Sequence, residues 1–328
     1  MRAARQFSYG SAPVLVDDAP TPEPKSDEVL VRVRAIGLNA ADWFASTGEP
    51  YIARLAFGLR RPSPSIQGKD LAGAVAAFGS AVKGFQVGDE VYAENAATAF
   101  AEYSCVPERF LALKPKNLSF EQAAVVPLSG NTALQGLREL ADVQPGQRVL
   151  VNGASGGVGH FVVQIAKSLG AHVTGVCSTR NLEFVRALGA DTAIDYSTTD
   201  FTATGERYDV IFDLAGNHSL RDFRRTLAPG GILVLSSGSG GRVFGPIGRL
   251  LRAAALSPFV SQRLKPHAAT RSAARLDALR DLIEGGGVTP SIERTISFNE
   301  LPEAIAYLGT GRVRGKIAVT INQEVSTA

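Results

Sequence analysis

The sequence predicts an α/β protein that combines a β-rich barrel with a parallel sheet flanked by helices. Three observations support this prediction. Residues 1–118 contain short strand-like segments separated by turn residues. From Ser119 onward, apolar strands alternate with helical segments at the spacing of βαβ units. A glycine-rich turn, Gly153–Gly159, joins one of these strands to a helix.

The barrel prediction depends on four segments that precede Ser119. Glu28–Ile36 alternates apolar and charged residues, which indicates a half-buried strand. Gly68–Gly79 mixes glycine, alanine and valine, as expected of a strand that another backbone approaches closely. Gly84–Val91 is typical of a turn that leads into a strand, and Ala99–Val106 of a further short strand.

The α/β part begins with a helix that Ser119 can cap and that has Glu121 in its first turn. After it, the pattern predicts strands at Arg148–Asn152, His172–Cys177, Ala193–Asp195, Val210–Leu214, Ile232–Ser236 and Lys316–Ile321. It predicts helices at Gly157–Leu169, Leu182–Leu188, Ser272–Glu284 and Leu301–Leu308. A basic and apolar helix, Arg249–Leu256, follows a strand end, which favours a mobile lid over a membrane-touching element or a surface helix.

Composition and charge restrict the class of protein. The chain has 328 residues, 45% of them hydrophobic and 20% charged, which is a globular composition. The net charge of +3 is too small to favour nucleic acid as a partner. No segment reaches the ~18 uninterrupted apolar residues of a membrane helix, and no signal-peptide core is visible. We therefore expect a cytoplasmic protein without stable membrane insertion.

Two interpretations are possible for the cysteines, and two for a basic segment of the chain. Cys105 and Cys177 are expected to be buried small hydrophobic residues rather than a disulfide or a catalytic thiol. Residues 223–276 contain no Asp or Glu but many arginines. This basic segment either faces an anionic ligand or partner, or is neutralised by acids from elsewhere in the fold, and the second reading is favoured.

The turn Gly153–Gly159 has the residue types of a phosphate-binding loop. Glycines let the backbone approach a pyrophosphate, and N–H groups at the start of the next helix bind the anion. Ala154 replaces the first glycine of the G-x-G-x-x-G pattern. The next strand ends without the acid that holds a ribose hydroxyl in NAD sites, whereas its Ser178 and Arg180 suit a 2′-phosphate. The sequence therefore predicts NADPH as the cofactor.

Short motifs occur in order along nearly the whole chain: Asn39–Asp42, Gly68–Gly73, Gly88–Val91, Ala101–Tyr103, Asn131–Ala133, Ala154–Gly159, Leu188–Asp191 with Ile194–Tyr196, and Arg314–Lys316. In their order and spacing the chain resembles the medium-chain dehydrogenase/reductase superfamily, in its zinc-free quinone oxidoreductase branch. Cys177–Asn181 is most similar to the subgroup that contains the mitochondrial reticulon-interacting oxidoreductase and its bacterial relatives.

The resemblance implies a GroES-like β-barrel catalytic domain, residues 1–123 and 271–328, into which a Rossmann domain, residues 124–270, is inserted. It implies an active site in the cleft between the domains, and a homodimer that pairs residues 259–269. Thr132 and Tyr196 are implied cofactor residues, with a helix residue bonding its own backbone and a packed aromatic as the alternatives. The other residues expected to bind NADPH are Ser155, Gly156, Gly157, Val158, Ser178, Arg180, Ser236 at the start of a loop, and Lys316.

The resemblance also bears on metal binding. Zinc alcohol dehydrogenases of the superfamily have cysteine where Asn39 stands and Gly-His-Glu where Gly68-Lys69-Asp70 stands. The histidines show no metal-ligand spacing, so no metal is expected. His160, directly after the glycine turn, is expected on the surface of its helix, with a residue that tunes the cofactor site as the alternative. Without a Lewis acid the substrate must carry its own activation, as quinones and α,β-unsaturated carbonyls do.

The candidate catalytic residues lie near the first motif. Asn39 is the candidate for polarising the substrate or contacting the cofactor ribose, and Asp42 for orienting its neighbours. Phe44, with Trp43, either stacks on a flat substrate or packs in the core.

The resulting hypothesis is a zinc-independent, NADPH-dependent oxidoreductase that transfers hydride to a quinone or an activated C=C bond. Two alternatives are open: a biosynthetic enoyl-thioester reductase of the same fold, and a non-enzymatic NADPH-binding sensor or structural protein.

Overall fold

The chain folds into two units. The structure is a computed structural model, and it describes residues 1–236, 243–245 and 247–321. Unit 1 comprises Met1–Leu128, Arg271–Glu284 and Pro290–Ala328, and unit 2 comprises Ser129–Thr270 and Gly285–Thr289. The domain ranges predicted from sequence, 1–123 with 271–328 and 124–270, differ from these units at residues 124–128 and 285–289.

The strands, in chain order, are β1 (Ala3–Arg5), β2 (Val14–Val16), β3 (Glu28–Leu38), β4 (Asp70–Phe78), β5 (Glu90–Glu94), β6 (Tyr103–Pro107), β7 (Leu111–Leu113), β8 (Arg148–Asn152), β9 (His172–Cys177), β10 (Thr192–Asp195), β11 (Tyr208–Asp213), β12 (Leu227–Leu235), β13 (Arg263–Pro266), β14 (Ile292–Ser297) and β15 (Lys316–Thr320).

The α-helices are α1 (Ala40–Thr47), α2 (Arg54–Phe57), α3 (Phe120–Ala124), α4 (Pro127–Leu134), α5 (Gly159–Ser168), α6 (Leu182–Ala187), α7 (Leu220–Thr226), α8 (Ile247–Leu256), α9 (Ala273–Glu284) and α10 (Leu301–Leu308). A π-helical segment, Gln135–Leu140, continues α4.

The sheet of unit 1 is organised around β3. Its strand order is β14-β15-β3-β4-β5-β7, and β6 also pairs with β3. One edge of β3 pairs with β4, while the other pairs with β6 along Glu28–Arg32 and with β15 along Ala35–Leu38. Val29, Val31 and Val33 point into the core of this unit. The alternation visible in the sequence therefore places one face of β3 inside the barrel, as predicted.

Unit 2 contains a six-stranded parallel sheet with the order β10-β9-β8-β11-β12-β13. Counted from β8 as the first strand, this is the order 3-2-1-4-5-6 of Rossmann dinucleotide-binding sheets. The strand order reverses at β8 and β11, and ligands bind beyond the carboxyl ends of the strands at such a point. The predicted α/β Rossmann and GroES-like fold class is confirmed.

The predicted elements are present, and most of their ends lie within two residues of the sequence prediction. β8, β9 and α10 have the predicted bounds. The cap of α3 is also as predicted: Ser119 Oγ accepts the N–H of Gln122 at 3.2 Å, and Gln122 Oε1 accepts the N–H of Ser119 at 3.0 Å. The helix predicted to begin at Gly157 begins instead at Gly159, because the glycine turn continues through Val158.

The basic helix α8 packs on unit 2. Ala253 is fully buried in the core of this unit, and Leu250 and Leu256 pack against the same core. The lid interpretation of this helix stays a prediction. The segment that leads into it, residues 237–242, lies outside the described residues, and so does the predicted cofactor loop that begins after Ser236.

Two further expectations concern surfaces of the fold. In the described ranges no helix is both long enough and apolar enough to cross a membrane. β13 is the edge strand of the unit 2 sheet and lies within residues 259–269, the segment expected to pair in a homodimer. The homodimer stays a prediction.

The backbone at Gly37 lies too close to α3 for a side chain. A Cβ at this position of β3 would lie 2.2 Å from the carbonyl oxygen of Ala124, at the end of α3. Gly37→Ala should therefore lower the free energy of unfolding by roughly 1–3 kcal/mol, because backbone must move. Denaturant unfolding followed by circular dichroism measures the change. The control is Gly248→Ala on α8, where a Cβ meets nothing within 4 Å. Equal destabilisation by both substitutions would contradict this explanation.

Candidate functional site

The turn between β8 and α5 presents a set of unpaired backbone donors. Gly153 has a φ of +93°, in the left-handed region. A Cβ on Gly159 would lie 2.1 Å from the carbonyl oxygen of Gly153, so only glycine lets α5 begin this close to the strand. The backbone N–H groups of Ser155, Gly157 and Val158 have no acceptor among the described residues. Three free donors at the positive end of a helix fit an anion such as phosphate.

An asparagine connects this turn to the end of β9. Asn181 Nδ2 donates to Ser155 Oγ at 3.0 Å and to Ser178 Oγ at 3.3 Å. Its backbone N–H donates to the carbonyl of Ser178 at 2.9 Å, and the residue is only 7% exposed. In the sequence Asn181 is visible only as part of a motif, because no local pattern reveals a contact across 26 residues.

Arg180 and Tyr196 lie near Ser178, at the ends of β9 and β10. Arg180 is exposed, and the Tyr196 ring is 56% exposed. Tyr196 donates its backbone N–H to the carbonyl of Cys177 at 3.1 Å. The structure therefore brings together the predicted residues Ser178, Arg180 and Tyr196 at one edge of the sheet.

The carboxylate of Asp195, at the end of β10, already accepts hydrogen bonds within the protein. Asp195 lies opposite Cys177 in the β9–β10 register. Its carboxylate accepts from Thr179 Oγ1 at 2.5 Å, from Ser197 Oγ at 2.7 Å and from Ser197 N–H at 2.9 Å. The hydrogen bonds from Thr179 and Ser197 hold the pKa of Asp195 below its usual range. Asp195 is thus an ionised group that already accepts three hydrogen bonds within the protein.

A buried polar network that no sequence motif indicated lies at the carboxyl ends of β8 and β11. Asn152 Nδ2 donates to Asp213 Oδ1 at 2.8 Å. Arg249 Nη1 lies 2.5 Å from Asp213 Oδ2, and both side chains are largely buried. Ser236, a predicted cofactor residue directly after β12, donates its N–H to the carbonyl of Asp213 at 3.2 Å. Arg249 belongs to the basic segment 223–276, and it is neutralised by an acid outside that segment.

Two buried histidines of unit 2 donate hydrogen bonds to backbone carbonyls. His160 Nδ1 donates to the carbonyl of Gly156 at 3.1 Å, and the residue is fully buried. The expectation that His160 lies on the helix surface is therefore wrong, because α5 packs with this side inside. His267 Nε2 donates to the carbonyl of Thr132 at 3.0 Å. Thr132 is 6% exposed on α4, and its role toward the nicotinamide stays a prediction.

In unit 1, three predicted site residues join a fourth in one buried cluster. Asn39 Nδ2 donates to Asp70 Oδ2 at 3.0 Å, and its Oδ1 accepts from Lys316 Nζ. Asp42 Oδ2 accepts the N–H of Asn39 at 2.8 Å, at the start of α1. Asp70 also accepts the N–H of Leu128 at 3.0 Å, at the start of α4. Asn39, Asp42, Asp70 and Lys316 are each at most 4% exposed.

Burial dominates the electrostatics of this cluster. It raises the pKa of Asp70 to about 7, against the opposing effect of the Lys316 charge. It raises the pKa of Asp42 to about 6, against a hydrogen bond from Asn39. Burial also lowers the pKa of Lys316, while Asp70 and Asp42 oppose that change. The cluster therefore contains carboxyl groups that change protonation near neutral pH.

The two aromatic residues of the first motif have different environments. Trp43 packs against the core of unit 1, and a Cβ on Gly309 would lie 2.6 Å from its ring. Phe44 is 43% exposed on the same helix, α1. Of the two alternatives, core packing holds for Trp43, while Phe44 remains available for a ligand.

Neither cysteine has the environment of a catalytic thiol. Both are free; Cys177 is buried and Cys105 partly so. Burial raises the pKa of each thiol to about 11. Both are thus protonated and weakly nucleophilic at neutral pH.

The chain matches two known protein families and several characterised oxidoreductases. Residues 25–116 match the alcohol dehydrogenase GroES-like domain, and residues 188–319 match the family described as zinc-binding dehydrogenase. The chain is 34% identical to the chloroplastic NADPH-dependent alkenal/one oxidoreductase of Arabidopsis thaliana, over 97% of this chain and 79% of that protein. It is 30% identical to the mitochondrial NAD(P)H oxidoreductase RTN4IP1 of Mus musculus, over 90% of this chain and 82% of that protein.

A solved structure agrees with these matches. The quinone oxidoreductase from Coxiella burnetii superimposes with a TM-score of 0.84 at 30% identity, and the alignment covers 98% of this chain and 99% of that one.

One of the two matched families is described as zinc-binding dehydrogenase, but the residues of this chain do not fit a zinc ion. At the positions where the resemblance implies zinc ligands stand the Asn39 amide and the Lys69 ammonium, neither of which is a usual zinc ligand. The Asp70 carboxylate is held by Leu128 and Asn39, and Lys316 Nζ lies 3.7 Å away. A buried ammonium at this distance repels a divalent cation. In the described part of the chain no group of three His, Cys, Asp or Glu side chains is arranged to hold a metal.

The Asp70–Lys316 pair should make the free energy of unfolding depend on pH. Between pH of about 4 and about 7, folded Asp70 retains a proton that the unfolded chain has released, so this group makes the free energy of unfolding fall as pH rises. In Lys316→Met the cation that lowers the pKa of Asp70 is lost, and the fall should continue above pH 7. Urea unfolding at a series of pH values measures it. Lys83→Met, at an exposed lysine, should keep the wild-type profile. If the free energy of unfolding of Lys316→Met stopped falling below pH 7, Lys316 would not be the group that lowers the pKa of Asp70.

Proposed function

Because the chain belongs to the medium-chain dehydrogenase/reductase superfamily, with quinone oxidoreductases among its relatives, we propose that it is an NADPH-dependent oxidoreductase. Its acceptor is a quinone or the activated C=C bond of an α,β-unsaturated carbonyl. The observation that supports this most is the combination of free N–H donors after β8 with Ser178 and Arg180 after β9. When bound, NADPH supplies the hydride.

The charges at the end of β9 support a preference for NADPH. Ser155, Gly157 and Val158 would hold the pyrophosphate through backbone donors and the Ser155 hydroxyl. Gly156, whose N–H donates to the carbonyl of Gly153, would let the backbone approach it closely. Ser178 and Arg180 would hold the 2′-phosphate, with Tyr196 beside them. An NAD site needs a carboxylate for the ribose hydroxyls. Asp195, at the end of β10, accepts hydrogen bonds from Thr179 and Ser197, which supports a phosphate rather than a hydroxyl at this edge.

The substrate class follows from the chemistry of the unit 1 cluster. Its donor set does not fit a zinc ion, so an acceptor that delocalises the incoming electron pair over its own conjugated system is favoured. The amide of Asn39 donates to Gly37 and Asp70 within the cluster. This supports a positioning role for Asn39 and Asp42 at the start of α1 over direct polarisation of the substrate. Phe44, exposed on α1, is the proposed contact for a flat acceptor.

Thr132, Ser236 and Lys316 complete the proposed set of cofactor residues. Ser236 follows β12 at the carboxyl edge of the unit 2 sheet, where dinucleotides bind in this fold. The Lys316 ammonium contacts Asn39, so any contact with the cofactor would use another of its three N–H groups.

Arg180 provides the test of cofactor choice. Arg180→Ala removes a charge-assisted hydrogen bond, so the Kd for NADPH should rise roughly tenfold to a hundredfold while that for NADH stays within about twofold. Titration of nucleotide fluorescence measures both constants. Arg186→Ala is the matched control, since Arg186 is exposed on α6 and paired with Glu183. Tighter binding of NADH than of NADPH by the wild type would overturn the assignment.

A substrate panel tests the reaction. NADPH oxidation should occur with a benzoquinone or a short-chain enone and be at least about a hundredfold slower with the saturated ketone, since a simple ketone lacks activation. Absorbance at 340 nm follows the reaction. Turnover of an enoyl thioester far above both would support the biosynthetic alternative. Tight NADPH binding without turnover of any member would exclude an enzyme of this class and support a sensor.

A further inference from the structure

We propose that Asn181 determines nucleotide specificity by orienting two serine hydroxyls toward two different phosphates of one NADPH molecule. The inference rests on the proposed function, because it takes the turn after β8 and the end of β9 as phosphate sites. It adds a residue that touches neither phosphate and acts through Ser155 and Ser178.

The hydrogen-bond inventory supports this role. A serine hydroxyl has one donor hydrogen and two acceptor lone pairs. Asn181 Nδ2 occupies an acceptor position on Ser155 Oγ and on Ser178 Oγ, at 3.0 and 3.3 Å. Within the described ranges neither hydroxyl donates to a protein acceptor. Each O–H hydrogen is thus left for a ligand that accepts, and phosphate oxygens only accept at neutral pH.

The asparagine itself is held in place. It is 7% exposed, its N–H donates to the carbonyl of Ser178 at 2.9 Å, and it directly precedes α6. One side-chain nitrogen serves both serines, so the orientations of the two hydroxyls are linked. The pyrophosphate and 2′-phosphate positions therefore depend on a common donor, and only a nucleotide with both phosphates uses both hydroxyls.

A change from amide to carboxylate reverses this arrangement. In Asn181→Asp the side chain accepts instead of donating, so each hydroxyl can turn its hydrogen toward the new carboxylate rather than the ligand, and a negative charge faces the phosphates. NADPH loses two contacts and NADH only one, because NADH has no 2′-phosphate. The ratio of the two Kd values is therefore the diagnostic quantity.

The experiment measures Kd for NADPH and NADH with wild type, Asn181→Asp and Asn181→Ala. The expected result is an NADPH Kd raised at least about tenfold, with a smaller rise for NADH. Asn95→Asp is the matched control in unit 1: Asn95 is 4% exposed and its Nδ2 donates to Thr98 Oγ1 at 3.2 Å and Ser104 Oγ at 3.1 Å. This control should lower the unfolding temperature comparably and leave both Kd values unchanged.

A double-mutant cycle separates orientation from general destabilisation. Once Ser178 is replaced by alanine, Asn181→Ala should cost NADPH affinity less than it does in the wild type, since one of its two hydroxyl partners is gone. An unchanged NADPH-to-NADH ratio in both Asn181 variants, or fully additive effects, would overturn the inference while leaving the proposed function intact. A wild-type chain that fails to bind NADPH would instead overturn the proposed function and, with it, this inference.

Discussion

The close approach of α5 to the end of β8 is the constraint on which the nucleotide site of unit 2 depends. A Cβ added to Gly159 would lie only 2.1 Å from the Gly153 carbonyl oxygen, which is too close for any side chain. That approach leaves the N–H groups of Ser155, Gly157 and Val158 without acceptors in the described part of the protein. An unpaired donor set of this kind is costly unless water or an anion satisfies it. The same geometry brings Ser155 within reach of Asn181.

The replacement of a glycine by Ala154 is explained by the neighbouring strand. Ala154 is fully buried, and a Cβ added to Gly175 of β9 would lie 3.0 Å from its methyl group and 2.4 Å from Val185. The missing side chain at Gly175 thus makes room for Ala154 and for α6. This compensation keeps the turn close to the strand although the glycine pattern is incomplete.

The cluster of unit 1 shows how a buried charge is tolerated. The Lys316 Nζ and Asp70 Oδ2 atoms lie 3.7 Å apart, and both side chains are buried. Burying either charge without the other would cost several kcal/mol. Asn39 links them, and Asp70 also binds the N–H of Leu128 at the start of α4. Together these bonds tie α1, β4, β15 and α4 to one point.

What the sequence by itself determined was the pattern of elements and the chemistry of the motifs. Periodicity alone located β8 and β9 with the observed bounds, and the glycine turn together with Ser178 and Arg180 indicated a phosphate-bearing nucleotide. Tertiary structure alone decided which side chains meet: Asn181 with two serines, Asp195 with Thr179, and Asp70 with Lys316 across 246 positions of sequence. It also showed that His160 is buried. The physical reason is that local patterns record propensity and burial on one element, whereas hydrogen-bond partners depend on packing between elements distant in the chain.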